Sequence, residues 1–293
     1  MMVDRRLSYG KGRPPRDDAR KVMILEGTDG RALLGYAGLG ATASGMEPAD
    51  WMISVLRGSK RSIEQSLSVL AGAMKRQLPP HLINLPKGSP FAHTLLITAF
   101  VESELRFYTI DLVMPPDRKH WYFRYTRHAN EKPPNRQLKT PPISVGGSGI
   151  GILERNRAWI RPLLRIVKAY NRGKVSDTSV ADYLSKLNFF VHRATSDNSV
   201  GPSCIVVWRN KVGGIHKMGG GQQSYSGKVR DASTPPIPLL VDGLDMTALI
   251  KTLLPHVLES FEKYHRGEEG NLDDSYINEQ LALLPRVPDE ELR

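Results

Sequence analysis

Two pairs of amphipathic helices interrupt the predicted strands, and this order constrains the possible folds more than any other feature of the chain. Short apolar runs at residues 22–25 and 32–37 predict two strands, after which the apolar period becomes that of helices. Strands predicted over residues 93–101, 106–114 and 121–125 separate these helices from a second pair. Because helices that bury one apolar stripe lie against sheet faces, the sequence predicts an α+β protein built as a four-layer α-β-β-α sandwich.

Local signals predict where several elements begin and end. The Asp-Gly pair at residues 29–30 lies between two apolar runs and predicts a hairpin, because both residues tolerate a positive φ. Ser62 and Gln65 have the spacing of a capping box, which predicts a helix start. The proline pair at residues 79–80 predicts the end of that helix.

The second half of the chain continues the alternation. Pro162 lacks an N–H, so the helix that follows the glycine-rich turn is predicted to break near Arg161. A further helix is predicted over residues 179–194. A buried strand is predicted over residues 203–208 and is expected to pair with residues 214–217.

The chain is predicted to form a single domain over residues 1–264. Within it, residues 119–140 are expected to be an insertion loop, residues 219–226 a loop, and residues 246–264 a last amphipathic helix. Residues 265–293 are polar and punctuated by proline, and they predict a C-terminal tail.

Composition is that of a globular protein in a reducing compartment. Of the 293 residues, 40% are hydrophobic and 24% are charged, and no apolar run approaches the ~20 residues of a membrane span. The N-terminus lacks the apolar core of a signal peptide, and Cys204 is the single cysteine. We therefore expect a cytoplasmic protein in which Cys204, within an apolar run, is buried and inert.

A net charge of +11, from 41 basic and 30 acidic residues, is enough to attract nucleic acid. The basic residues are scattered, with groups only at residues 5–20, 118–139 and 155–172, and no nucleic-acid-recognition motif accompanies them. A solvated basic surface is the favoured interpretation, so a nucleic-acid partner is not expected.

The glycine-rich segment from Gly147 to Gly151 allows two functional interpretations, and both are weak. A phosphate-binding loop would need a different glycine spacing, and a hydrolase nucleophile elbow would need glycine instead of Ile150. A plain tight turn is the structural alternative to both. The eight histidines have no metal-ligand spacing, so neither a metal nor another cofactor is expected.

Five short segments, each weak alone, occur in a specific order. They are Asp4-Arg5-Arg6, Lys21, residues 37–39, residues 147–149 and residues 196–201. From residue 4 to about residue 208 this order resembles the catalytic β-type subunits of proteasomes and their bacterial relatives, a family of N-terminal-nucleophile hydrolases. The resemblance implies that the first, nucleophile-bearing strand of the fold is absent or truncated here.

In that family an N-terminal threonine attacks an amide bond, and its own α-amine accepts the proton. The resemblance implies that Lys21 holds the attacking hydroxyl, that Asp4 pairs with Lys21, and that Arg6 braces Asp4. Without the resemblance, Lys21 and Asp4 would be interpreted as a surface ion pair.

The resemblance also assigns the residues around the amine and the oxyanion. Ser148 and Asp197 match the residues that orient the α-amine, and Gly38 matches the glycine whose N–H receives the oxyanion. Val200 departs from the pattern, because a second serine usually supports the amine at that position.

No threonine, serine or cysteine lies where an N-terminal nucleophile would be needed before Asp4, so the chain as given is expected to be inactive. Because unpaired buried backbone groups cost about 1–3 kcal/mol each, a misplaced start codon is favoured over a natural loss of the strand. A full-length form would then be a threonine-type peptidase in a ring-like homo-oligomer, acting on peptides or proteins. Any ATPase partner is unknown. The alternatives are a non-catalytic scaffold or partner-binding subunit and, less favoured, a basic nucleic-acid-binding protein.

Overall fold

The structure is a computed structural model of the 293-residue chain. It describes residues 1–7, 14–38, 46–82, 93–102, 104–113, 122–128, 143, 145–209, 220–268 and 273–283, with side chains in the α2 helix described up to residue 77.

Two β-sheets form the centre of the molecule. The smaller sheet has the strand order β1-β7-β8-β9, with strands β1 (Met2–Asp4), β7 (Ser203–Arg209), β8 (Gly220–Ser226) and β9 (Val229–Arg230). The larger has the order β11-β10-β2-β3-β4-β5-β6, with strands β2 (Val22–Gly27), β3 (Gly30–Ala37), β4 (Thr94–Val101), β5 (Glu104–Val113), β6 (Tyr122–His128), β10 (Leu239–Val241) and β11 (Leu244–Asp245). All neighbouring strands are antiparallel except β10 and β2, which are parallel.

Helices occur in the same two groups that the sequence predicts, followed by a C-terminal pair. Their bounds are α1 (Pro48–Leu56), α2 (Ile63–Leu82), α3 (Ile150–Arg155), α4 (Ile160–Tyr170), α5 (Asp177–Ala194), α6 (Met246–His265) and α7 (Asp274–Leu283). Among the described residues, no helix is long and apolar enough to cross a lipid bilayer.

Three apolar clusters define the layers. The largest packs α1 and α2 against one face of the larger sheet, for example Leu67 and Met74 against Leu34. A second lies between the sheets, where Val22 and Ile205 are buried together. The third packs α5 against the outer face of the smaller sheet. The predicted α-β-β-α sandwich is therefore confirmed.

The hairpin between β2 and β3 is confirmed, but the predicted reason for it is wrong. Gly27 pairs with Gly30 across the turn, and no residue of the turn is among the described residues with positive φ. A Cβ at Gly30 would instead collide with the backbone of Phe100 in β4. The glycine is needed because a neighbouring strand approaches closely.

The capping box at the start of α2 is confirmed. Ser62 N–H donates to Gln65 Oε1 at 2.9 Å, and Gln65 N–H donates to Ser62 Oγ at 3.2 Å. The predicted end at residues 79–80 is wrong, because α2 continues to Leu82. Proline has a φ compatible with a helix, and two prolines in the final turns remove single hydrogen bonds without ending it.

The predicted helix boundary near Arg161 is confirmed, because α4 begins at Ile160, but Pro162 is not its cause. The preceding helix, α3, ends at Arg155, where Asn156 Nδ2 donates to Ile152 O at 2.9 Å. A single 3-10 turn then leads into α4. Pro162 lies in the first turn of α4, where its missing N–H would have had no partner within the helix.

Two predictions about the smaller sheet need correction. Residues 219–226 were expected to be a loop, but Gly220–Ser226 form β8. β8 pairs with β7 along its whole length, and the predicted partner, residues 214–217, lies outside the described part of the chain. A Cβ at Gly221 would overlap the Trp208 ring, so the glycine that suggested a loop is what lets that ring pack.

The C-terminal region follows the prediction only in part. The α6 helix begins at the predicted residue, where Asp245 Oδ1 accepts from the N–H groups of Thr247 and Ala248. Beyond α6, the predicted tail contains α7, and Tyr276 contacts His256 of α6. The predicted insertion at 119–140 includes β6, while residues 119–121 and 129–140 lie outside the described residues.

Candidate active site

Asp4 and Lys21 meet between the two sheets. Asp4 ends β1 of the smaller sheet, and Lys21 directly precedes β2 of the larger sheet. Lys21 Nζ lies 3.3 Å from Asp4 Oδ1, and the Lys21 side chain is only 6% exposed. The predicted pairing of these two residues is thus present in the structure, and it is not a surface ion pair.

The backbone positions both partners. Tyr36 N–H donates to Lys21 O at 2.9 Å, which fixes the start of β2 against β3. Asp4 Oδ1 also accepts from Arg6 N–H at 3.0 Å and Gly201 N–H at 3.5 Å. Donors from three parts of the chain therefore converge on one carboxylate oxygen.

A narrow cavity adjoins this pair, lined among others by Val3, Ile205 and Ile237. Among the described residues, the recorded polar partner of the lysine ammonium is Asp4 alone. A buried ammonium with a single carboxylate partner is costly to desolvate, and ionisable groups in such settings are candidates for a functional site.

Arg6 supports Asp4, but not with its guanidinium. That group forms a two-point ion pair with Asp17, at 2.7 Å from Nε to Oδ1 and 2.8 Å from Nη2 to Oδ2. Its Nη1 also donates to Asn198 O at 2.9 Å. The hydrogen bonds with Asp17 raise the pKa of Arg6 above its usual value.

Asp17 is a site residue that the sequence analysis missed. Its partner Arg6 lies eleven positions earlier, across a segment that includes residues outside the described part of the chain. A Cβ at Gly201 would lie 2.5 Å from Asp17 Oδ1 and 2.7 Å from Arg6 Cβ. Only glycine at this position lets the 196–201 loop pack so closely on the ion pair.

Asp197 lies in that same loop but faces solvent. Its carboxylate accepts from Ser199 N–H at 3.0 Å, and hydrogen bonds from Ser199 hold the pKa of Asp197 below its usual value. Asn198 beside it has a φ of 53°, in the left-handed region. The loop therefore presents an ionised carboxylate at the rim of the site.

Ser148 and Gly38 are brought to the same end of the molecule. A Cβ at Gly147 would lie 3.0 Å from Ala37 Cβ, so the turn that carries Ser148 adjoins the end of β3 and Gly38. A Cβ at Gly149 would lie 3.9 Å from Val200 Cγ2, which places the turn beside the 196–201 loop.

The predicted residues are therefore divided into a bonded centre and a rim. The structure joins Asp4, Lys21 and the Arg6 backbone by hydrogen bonds. Within the described chain, no recorded hydrogen bond links Ser148, Gly38 or Asp197 to that centre. The described residues of the five segments surround one region, and the chemical roles of the six predicted residues stay predictions.

Among the strands that the structure describes, β1 has an open edge next to this region. Met1 and Arg5 bond to Val207 and Ser203 of β7, and strand alternation turns the backbone groups of Met2 and Asp4 away from β7. β1 is the terminal strand of the smaller sheet, so this edge is where a further strand could pair beside Asp4.

No family model and no curated protein sequence matches this chain. The solved structures similar to it include the helical assembly of the Anbu complex from Pseudomonas aeruginosa, with 13% identity, 94% coverage of each chain and a TM-score of 0.37. They also include an Anbu Gly-1 mutant from Hyphomicrobium sp. strain MC1, with 11% identity, 93% coverage of each chain and a TM-score of 0.36. A third is an Anbu (ancestral beta-subunit) protein from Yersinia bercovieri, with 13% identity and a TM-score of 0.35. This match covers 70% of the present chain and 74% of the Yersinia chain.

These similarities correct the expected family. The predicted membership in the β-type proteasome subunits is wrong, because the similar structures are Anbu proteins, a distinct proteasome-like family. At such low identities and TM-scores, the similarities carry no information about what this chain does.

Proposed function

We propose that the Asp4–Lys21 pair is the charged centre of a site for peptide or amide bond hydrolysis. The observation that supports this function best is the almost complete burial of Lys21, with its ammonium 3.3 Å from one carboxylate oxygen. Lysines are among the residues least often buried, and a buried, paired lysine beside a cavity is suited to activating a nucleophile.

The proposed reaction needs a hydroxyl placed beside the Lys21 ammonium. The hydroxyl oxygen attacks the carbonyl carbon of the amide, and its proton passes to the α-amine of the same residue, whose ordinary pKa of about 7.7–8.0 suits that role. The Lys21 charge stabilises the oxygen as it loses the proton. The C–N bond then breaks, and the amine returns the proton to the leaving nitrogen. Water finally hydrolyses the ester that remains.

The rim residues have supporting roles in this proposal. Ser148 and Asp197 orient the α-amine, and the Gly38 N–H donates to the developing oxyanion. One donor of this kind contributes about 3–4 kcal/mol to transition-state stabilisation. Arg6 and Asp17 do not contact the substrate in this proposal; they position the site, because they hold the 196–201 loop against Asp4.

The nucleophile is proposed to arrive on a strand that pairs with the open edge of β1. Such a strand runs beside Asp4, and its first residue comes within reach of Lys21. This is the arrangement expected if a longer form of the chain begins with threonine, serine or cysteine.

An acylation experiment tests this proposal. The protein is isolated from its natural source, and its intact mass and N-terminal residue are measured before and after treatment with a peptidyl β-lactone, an acylating electrophile. We expect an N-terminal threonine, serine or cysteine, and one added acyl group on that residue. A native protein that begins at Met1 and gains no acyl group would contradict the proposal and favour the scaffold alternative.

A further inference from the structure

The outer face of α6 carries a row of exposed apolar side chains. Ile250, Leu254, Leu258 and Phe261 recur every three or four residues and therefore lie on one side of the helix. Leu254, Leu258 and Phe261 are 47%, 53% and 60% exposed. We call these four residues the α6 stripe. Contiguous exposed apolar surface of this kind marks an interaction site.

The helix itself needs such a contact. α6 has twenty residues, includes Pro255 in its interior, and buries none of its residues within the described chain. Helices in proteins owe most of their stability to packing of an apolar face, and an interior proline removes a backbone hydrogen bond. The apolar stripe is therefore suited to packing against something outside the subunit.

Charges beside the stripe indicate what that partner is. Lys251 and Glu262 are exposed, and they are separated by eleven residues, or about three helical turns, so both flank the same side of the stripe. Neither has a recorded ion pair within the described residues, whereas the neighbouring Glu259 is bonded to Lys263 at 2.9 Å. One flank thus has a positive end, whose charge also acts on Asp50, and a negative end, whose charge also acts on Arg266.

An antiparallel pair of identical helices matches this pattern. In such a pair, residues on the same flank face each other, so Lys251 of one copy lies opposite Glu262 of the other, and the reverse. The same arrangement places Ile250 beside Phe261 and Leu254 beside Leu258 of the second copy. The midpoints of these three pairings all fall between residues 255 and 257. One two-fold axis therefore satisfies all of them, as an isologous interface requires.

We propose that the α6 stripe is a two-fold interface between two copies of this chain, with their α6 helices antiparallel. Flanking charges set the orientation, as charged positions do in coiled coils. In a parallel pair, the flank that carries Lys251 and Glu262 would face the opposite flank of the second copy, and these two ion pairs would not form. The interface is independent of the proposed hydrolysis.

Analytical ultracentrifugation of the full chain tests the apolar part of this interface. We expect wild-type protein to associate, and Leu254→Glu to weaken that association at least about tenfold, because it places a charge in an apolar contact. Val229→Glu, at a still more exposed apolar residue on β9, is the control and should leave association unchanged. Circular dichroism checks that both variants are folded.

A charge exchange tests the orientation and uses only surface positions. Lys251→Glu and Glu262→Lys should each weaken association about tenfold, since each sets like charges opposite one another. The double variant should recover to within about threefold of wild type. A wild-type chain that stays monomeric, a Leu254→Glu variant that associates normally, or a double variant no better than the single ones would overturn the proposal.

Discussion

α2 and α6 are helices of equal length that obtain their stability in different ways. Each has twenty residues with an apolar stripe at helical spacing. In α2 the stripe residues Ile63, Leu67 and Leu70 are fully buried against the larger sheet, whereas the α6 stripe is half-exposed. The comparison teaches that apolar periodicity predicts a helix and its buried face, but not whether the covering surface belongs to the same chain.

The largest expected difference between the buried core and the exposed α6 stripe is in thiol reactivity. Cys204, in β7 and under α5, is fully buried, and burial raises its pKa to about 12. The thiol introduced by Leu258→Cys in α6 should have an ordinary pKa of about 8.5 and react with iodoacetamide at pH 8 on the order of a thousandfold faster. Mass spectrometry after timed quenching in dilute protein measures both rates.

Repeating the labelling at increasing protein concentration extends the comparison of the two cysteines. Labelling at position 258 should slow as copies associate, while labelling of Cys204 should not change. Equal rates at both cysteines in dilute protein would contradict the description of α6 as exposed.

Truncation of one leucine in each helix should give the next largest difference. Leu67→Ala in α2 leaves a cavity in the main core and should lower the free energy of unfolding by about 2–5 kcal/mol. Leu258→Ala in α6 should change it by less than about 0.5 kcal/mol in the dissociated subunit. Urea unfolding at low protein concentration measures both values, and similar losses in the two variants would refute the contrast.

Ion pairs extend the contrast between buried and exposed regions. Lys21→Met strands Asp4 beside a cavity and should destabilise the fold by about 1–3 kcal/mol. Lys60 is 74% exposed, and its Nζ lies 3.7 Å from Asp242 Oδ2, so Lys60→Met should cost about 0–1 kcal/mol. The urea midpoints of the two variants provide the test; a larger loss in Lys60→Met would show that the buried pair contributes little.

Helix caps should give the smallest difference. Ser62→Ala in α2 and Asp245→Ala in α6 each remove a side-chain acceptor from helix N–H groups, at a typical cost of about 1 kcal/mol. Because α2 has residues buried in the core and α6 has none, Ser62→Ala should lower the free energy of global unfolding more than Asp245→Ala does. Hydrogen exchange of amides in α6 should report the local loss in Asp245→Ala. Identical effects on global unfolding would argue that α6 unfolds together with the core.

The sequence predicts the layers of the fold because local chemistry decides them. The capping box of Ser62 and Gln65 depends on neighbours in the chain and was found as predicted. The hairpin at residues 29–30 was also found, although its glycine is needed for the close approach of β4. β8 was missed because its glycines suggested a loop, and their real role, room for Trp208, depends on a distant strand.

The candidate site divides in the same way. Asp4 and Lys21 could be identified from an ordered set of short segments, and they do meet in the structure. Asp17 could not, because its role arises only when Arg6 and the 196–201 loop close on it in three dimensions. The sequence pattern of one chain likewise does not predict which surface covers the α6 stripe.

The most direct test of the proposed chemistry is the kcat/KM of native, full-length protein for fluorogenic peptides, compared between Lys21→Ala and Lys60→Ala. We predict that Lys21→Ala lowers kcat/KM at least about a hundredfold while the variant remains folded, because it removes the charge that activates the nucleophile. Lys60→Ala should retain native activity. Equal, undiminished hydrolysis by both variants would contradict a catalytic role for the buried lysine.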